Sequence, residues 1–383
     1  MKTNNGCFEN KCIFRLNPDI NFQFCKGKYE KMSEIFSVDD INENGLYSLE
    51  MASVVNGEAK IKVIISFLDI EGKVIAQLHT ENGKSFATPG KTAAMQIGFH
   101  GFSKNGGSVS LKELSLFSYG KKKERKVKLC AVAVAYNKGR RTFERNLKET
   151  LVAMDNAAKE KPDIICATEC FYGRNVKGLS LKEKSIPLDG EVIGIFKERA
   201  KKYNSYISFS VHILKEDGNF SNVAVIIDRK GEIAGTYSKV HNTISEFEGG
   251  MEPGNEIKFF DLDFGRVGIA ICWDLFFPEH VRMLHLNDCE IILNPTAGFE
   301  EERTKERAKE SGAYIVTAGT QRQEHTIITN PEGVVIARRE KGKDYVYAEV
   351  DLSYDYYVDW LSCPSSSTRK NVFRYERHPE LYI

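Results

Sequence analysis

The chain changes its hydrophobic period part-way along, and this change restricts the available folds more than any other feature. Over residues 28–120 the pattern is that of short strands. Ile61, Val63, Ile65 and Phe67 alternate along one face, the period-2 signature of a half-buried strand. Turn signals recur at Asn56-Gly57, Glu71-Gly72, Asn82-Gly83, Pro89-Gly90 and Asn105-Gly106-Gly107. No helical stripe interrupts them. The pattern predicts an all-β sandwich of jelly-roll type over residues 1–123, with its last strand at Ser108–Tyr119.

The run Lys121-Lys122-Lys123-Glu124-Arg125-Lys126 separates this region from the next. A solvated linker is the plainer reading of such a run, and an anionic docking patch the alternative. From residue 127 near-continuous apolar strands alternate with amphipathic helices. Val127–Ala135 and Asp163–Thr168 read as buried strands, and between them Phe143, Leu147, Leu151, Met154 and Ala158 form one apolar helical face. Further strands fit Tyr206–Ile213, Asn222–Asp228, Arg266–Ile271, Glu290–Asn294 and Tyr314–Thr320, with helices near Glu191–Tyr203, Pro278–Asn287 and Glu300–Ser311. Interleaved helices and fully apolar strands predict an α/β domain over residues 127–383. Its aromatic tail, from Asp351 on, reads as a docked oligomerisation segment.

At 383 residues two domains are expected, and a net charge of +1 gives no reason to invoke nucleic acid or a membrane surface. The N-terminus lacks the apolar core of a secretory signal, which points to the cytoplasm. The nine cysteines include no close CxxC pair, as expected of free thiols in a reducing compartment. Cys7, Cys12 and Cys25 lack the paired spacing of a structural zinc site, so no metal and no cofactor is expected.

Three reactive groups fall at the ends of strand-like runs. Glu169 ends Asp163-Ile-Ile-Cys-Ala-Thr-Glu, Lys239 ends Gly235-Thr-Tyr-Ser-Lys, and Cys272 ends Val267-Gly-Ile-Ala-Ile-Cys. Ligand sites of α/β folds assemble at the carboxyl ends of strands, so the three can converge. A half-buried carboxylate can take a thiol proton. A lysine nearby favours the thiolate and can stabilise an oxyanion.

These motifs resemble those of the nitrilase-like carbon–nitrogen hydrolases. The matching pieces are Ala167-Thr-Glu169-Cys, Tyr237-Ser-Lys239-Val-His241 and Cys272-Trp-Asp-Leu-Phe-Phe-Pro-Glu, supported by Asn294-Pro-Thr, His325-Thr-Ile-Ile-Thr-Asn-Pro-Glu-Gly and Arg377-His-Pro-Glu-Leu-Tyr382. The resemblance covers roughly residues 127–383. It implies a four-layer α-β-β-α sandwich, a homodimer or higher oligomer, and a Glu169–Lys239–Cys272 triad. It also implies hydrolysis of a small amide or N-carbamoyl compound through a thioester. A nitrile substrate and an inactive binding scaffold are the alternatives. A second glutamate is expected to orient the lysine; Glu248 is favoured for its distance to Pro253-Gly254, with Glu246 next. The family's proline before the base is Thr168 in this chain.

Trp273, Tyr172, Asn294 and Thr296 are the expected substrate-binding residues. His241 tempts a Cys–His reading, but support of the loop is the plainer role, and Asp274 reads as a bonding partner of local backbone. Cys166 and Cys170 read as packing residues. For the N-terminal domain, carbohydrate binding and a structural role compete, and the lack of a solvent-facing aromatic platform favours the structural one.

Overall fold

The computed structural model describes residues 11–80, 82–136, 139–320, 325–360, 363–369 and 379–382. Cys7, Arg377 and His378 lie outside them. The chain divides into two compact units, Met1–Glu124 with Ser353–Ile383, and Arg125–Leu352.

The first unit begins with seven strands: β1 (Lys11–Leu16), β2 (Ile20–Val38), β3 (Gly45–Gly57), β4 (Lys60–Leu68), β5 (Val74–Thr80), β6 (Ser85–Ala87) and β7 (Ala94–Lys121). All are antiparallel, in one hydrogen-bonded sheet with core order β5-β4-β7-β3-β6 and with β1 and β2 also on β7. The 28-residue β7 is the spine. It runs straight through Asn105-Gly106-Gly107, where the sequence predicts a turn. Gly107 has φ +120°, and a Cβ there would lie 2.3 Å from the Asn56 carbonyl oxygen, so only glycine lets the end of β3 approach. Met95, Ile97 and Phe99 in the first half of β7, and Val109, Leu111, Leu114 and Leu116 in the second, share one core with Ile65, Phe67 and Leu49. The sheet therefore folds over on itself around a single apolar interior.

The second unit holds β8 (Lys126–Val132), α1 (Phe143–Ala157), β9 (Ile164–Cys166), α2 (Glu191–Tyr203), β10 (Tyr206–Leu214), β11 (Phe220–Ile227), β12 (Ile233–Ser238) and α3 (Ile244–Glu248). It continues with β13 (Phe259–Leu262), β14 (Gly265–Ile269), α4 (Pro278–Leu286), β15 (Ile291–Thr296), α5 (Glu301–Ser311), β16 (Tyr314–Gly319), β17 (Ile327–Thr329), β18 (Val335–Arg338) and β19 (Tyr345–Asp351). Two six-stranded sheets result, ordered β12-β11-β10-β9-β8-β19 and β13-β14-β15-β16-β17-β18. They approach each other through β8, β9 and β10 on one side and β15, β16 and β17 on the other. Helices α1 and α2 contribute Met154, Ala157, Ile193 and Phe196 to the core of the first sheet, and α4 and α5 contribute Val281, Leu284 and Ala308 to that of the second.

Helix α1 starts where the Thr142 hydroxyl accepts the Arg145 N–H at 3.2 Å. Its buried line is Asn146, Thr150, Ala153, Met154 and Ala157, rotated from the predicted apolar stripe. Leu147 and Leu151 sit at its edge. The two polar positions are buried because they are bonded: Thr150 to the Tyr136 hydroxyl at 2.6 Å, Asn146 to the carbonyls of Tyr172 and Arg174 at 2.9 and 2.8 Å.

The tail returns to the first unit. Strands β20 (Tyr357–Trp360) and β21 (Cys363–Thr368) form an antiparallel hairpin, and β21 lies alongside β5. Lys122 pairs with Asp355 at 2.7 Å. The sequence assigns this tail to the hydrolase region. Its packing places it with the N-terminal strands. Among the described residues no helix is long and apolar enough to cross a membrane.

Candidate active site

Lys239 is the centre of the site. It follows β12 and is 1% exposed, so its ammonium needs partners. It donates to Glu169 Oε1 at 3.0 Å and to both Glu246 oxygens at 2.9 and 2.8 Å. Burial works against the charge, but the carboxylates of Glu169 and Glu246 outweigh it and hold the lysine above its ordinary range. Glu246 is partly buried, which favours its neutral form. The ammonium, the Thr243 N–H at 2.8 Å and the Asn222 amide at 3.2 Å prevail and hold its carboxyl below the usual range.

Glu169 follows β9 and is fixed on three sides. Its Oε1 accepts from Lys239 and from Asn222 Nδ2 at 3.0 Å, and its Oε2 accepts the Ala297 N–H at 3.0 Å. Cys272 opens a 3-10 turn, Cys272–Phe276, just beyond β14. Its φ is +47°, a left-handed conformation that costs an L residue about 1–2 kcal/mol and is concentrated at functional sites. Burial raises the thiol pKa and the Glu169 carboxylate adds to it. Lys239, the Thr296 hydroxyl and the Gly298 backbone oppose them. The resting thiol is therefore protonated and needs a base.

Asp274 braces the two loops. It accepts from the Ile271 N–H at 3.0 Å, the Tyr237 hydroxyl at 2.8 Å, and the His241 N–H and Nδ1 at 2.9 and 2.8 Å. The thiol turn and the lysine loop are thus tied to one buried carboxylate. His241, Asp274 and His280 offer atoms within 4.8 Å of one another, a spacing a metal could use, but four donors already occupy Asp274. His241 is bound to that brace and stacks on Phe277 at 3.9 Å.

Glu169, Lys239 and Cys272 line one cavity of about 1420 Å³ with Glu246. Glu248, the favoured second glutamate, is exposed at the end of α3, and Glu246 makes the bonds to Lys239 in its place. The cause is local. Thr243-Ile-Ser-Glu246 is a capping box, and the N3 glutamate of such a box turns back toward the start of its helix, where Lys239 lies. That motif is the signal by which the sequence could have chosen Glu246. Thr296, expected to bind substrate, is buried, does not line the cavity and donates its hydroxyl to the Gly298 carbonyl, close enough to Cys272 to favour the thiolate. Asn294 instead donates to the Ala270 carbonyl at 2.7 Å. The rings of Trp273 and Tyr172 stack on Phe276 and Phe143 and do not line the cavity.

Two residues that the sequence reading passed over also belong to the site. Asn222 bridges Glu169 and Glu246, and His212, paired with it in register on β10, lines the cavity. Both strands are mostly apolar and also bury Ser208, Ser210 and Ser221, so neither residue stood out in the sequence. Burial pushes the His212 ring down to about 4; Glu169 and Glu246 oppose this, while Lys184 and Lys239 reinforce it. The ring is neutral near pH 7.

Residues 130–355, more than half of the chain, match the carbon-nitrogen hydrolase family, and the chain belongs to that family. It is thus a hydrolase of the nitrilase superfamily, acting on C–N bonds other than peptide bonds. It is 25% identical to an omega-amidase NIT2 of Danio rerio over 232 residues, 55% of this chain and 83% of the relative. It is 28% identical to the probable hydrolase YhcX of Bacillus subtilis over 193 residues, 47% of this chain and 37% of the relative. A carbon-nitrogen hydrolase of Helicobacter pylori G27 shares the fold with a TM-score of 0.54 at 18% identity, over 67% of this chain and 97% of that one. Nit3 of Saccharomyces cerevisiae, a member of branch 10 of the nitrilase superfamily, does so with a TM-score of 0.53 at 20% identity, over 59% and 90%.

Proposed function

We propose that this chain is an amidase that hydrolyses a small amide or N-carbamoyl compound through a thioester on Cys272. The observation that carries the reading is Lys239, buried between Glu169 and Glu246 in the cavity that Cys272 lines. Glu169 takes the thiol proton as sulfur attacks the carbonyl carbon. The tetrahedral oxyanion is held by the Lys239 ammonium and the Trp273 backbone N–H. Glu169 returns its proton to nitrogen, the C–N bond breaks, and ammonia or an amine leaves. Water, deprotonated by Glu169, then attacks the thioester, and the C–S bond breaks to give the acid and the thiol. Glu246 positions Lys239 throughout.

The same reading takes the two facing sheets and their helices as a four-layer α-β-β-α sandwich. It takes the hydrolase as a cytoplasmic homo-oligomer and the N-terminal sheet as an accessory β-sandwich with a structural role. Ammonia release from a panel of ω-amides, N-carbamoyl amino acids and nitriles is the test. Turnover of an amide that is lost in C272A is expected. Turnover confined to nitriles, or retained in C272A, would overturn the reading.

A further inference from the structure

Behind the two catalytic loops, one buried nitrogen has nothing to bind. His280, on α4, is fully buried. Its Nε2 lies 2.8 Å from the Ile269 carbonyl oxygen, which can only accept, so Nε2 carries the proton and Nδ1 keeps a bare lone pair. Nδ1 has no hydrogen-bond partner among the described residues. A dry, unfilled lone pair is costly to bury. His280, Asp274 and His241 offer ligand atoms within 4.8 Å of one another, and with Nε2 taken, Nδ1 is the atom that His280 can give. The rings of His241 and His280 lie 5.7 Å apart.

The four donors on Asp274 do not close this site. Two are backbone N–H groups, of Ile271 and His241, and one is the Tyr237 hydroxyl. The fourth is the His241 Nδ1 proton, at 2.8 Å, and an imidazole gives up such a proton to a divalent ion. The exchange frees one lone pair on His241 and one on Asp274 Oδ1. Two imidazole nitrogens and a carboxylate oxygen, with a fourth position left for water, are a donor set that suits zinc. His280 already gives its other N–H to a backbone carbonyl, the usual support of a metal-bound histidine. The His241 side chain is 25% exposed and gives an ion a way in from solvent. None of the three residues lines the substrate cavity.

We propose that His241, Asp274 and His280 form a regulatory site for a late first-row divalent cation of the zinc type. The ion forms three bonds to protein and His241 releases one proton to solvent. Ligands of a tetrahedral zinc stand about 3.3 Å apart, so the three side chains contract around the ion. Asp274 holds the Ile271 N–H next to Cys272, and the Tyr237 hydroxyl and His241 N–H on either side of Lys239. Its displacement disturbs both loops, and turnover slows.

Calorimetric titration of C272A with zinc chloride removes the catalytic thiol as a competing ligand and needs no substrate. H241N and H280Q are added singly to that background. Each keeps its resting hydrogen bond, because the Asn Nδ2 takes the place of the imidazole Nδ1 and the Gln Nε2 that of Nε2, but neither supplies a nitrogen lone pair. Each should weaken zinc binding by more than about a hundredfold, beyond the cost of losing a residue that only supports a ligand. No binding to C272A, or binding that both substitutions leave unchanged, overturns the site. With Cys272 intact, ammonia release slowed by zinc should recover on adding EDTA. The half-inhibiting concentration should rise by roughly tenfold or more in H241N and in H280Q. Equal inhibition of all three proteins would assign the effect to the thiol and overturn the regulatory role.

Discussion

The two units bury polarity in opposite ways. The core of the N-terminal sheet is wholly apolar, and the buried polar residues nearby are uncharged: Ser48, Thr88, Thr92, Ser103 and Ser115. The second unit buries Glu169, Lys239, Asp274, Arg141, Arg307 and several histidines. Each of the first four is bound to a partner of opposite charge or to several donors. Ionised groups are taken out of water only where they are matched, and matching constrains both sequence and geometry. The contrast teaches where chemistry resides: the unit that carries unnecessary electrostatic cost is the unit that uses it.

The contrast can be broken or sharpened experimentally. The largest effect should come from C272A, which is expected to reduce ammonia release by about a thousandfold or more, as loss of a nucleophile does, with little change in urea unfolding. Next is K239M, which strands two carboxylates and should cost about 3–5 kcal/mol of stability as well as activity. F67A in the N-terminal core should cost a similar 3–5 kcal/mol through a cavity, but with turnover by the folded protein retained. If F67A abolished turnover in folded protein, the division of labour would fail.

A smaller effect separates the two candidate glutamates. E246Q should lower kcat by roughly ten- to hundredfold, whereas E248Q, at an exposed position, should match wild type in the same ammonia assay. The smallest effect is in acid. His212 has a folded pKa of about 4 against about 6.5 unfolded. Its contribution is fully present above pH 6.5 and is lost as pH falls toward 4, on the order of 3 kcal/mol in all. H212Q should flatten that limb of a stability–pH curve measured by urea unfolding. Glu246, whose carboxyl is depressed, loses its contribution only below about pH 4.3, so the two windows can be told apart.

The buried strands were legible because their apolar runs have no other reading, and the groups at their ends followed from that. Glu169, Lys239 and Cys272 line one cavity although Glu169 and Lys239 are 70 residues apart. What was not legible depended on direction. Glu246 and Glu248 differ by two positions on one helical turn, and only the Thr243 cap decides which faces Lys239. His212 and Asn222 were hidden by the apolar residues around them. The buried line of α1 was displaced because Asn146 and Thr150 find partners inside, which hydrophobic spacing does not register. The path of β7 through two glycines escaped for the opposite reason: Gly-Gly reads locally as a turn, and the long-range pairing with β2 and β3 overrides it.

That long strand has a consequence for biosynthesis. Lys11 pairs with Ser118, Ile20 with Leu111 and Lys60 with Phe102. Most early strands therefore wait for their main partner until nearly the whole N-terminal unit has left the ribosome. The edge strand β5 pairs with β4 as soon as it emerges but gains its outer packing last. Its neighbour β21 belongs to the tail that rejoins this unit from Ser353. At typical elongation rates of about 5–20 residues per second, the intervening hydrolase unit delays that cover by roughly 10–50 s. For that interval the nascent chain leaves β5 without the hairpin that packs beside it, an exposed edge strand of the kind that holdase chaperones shield.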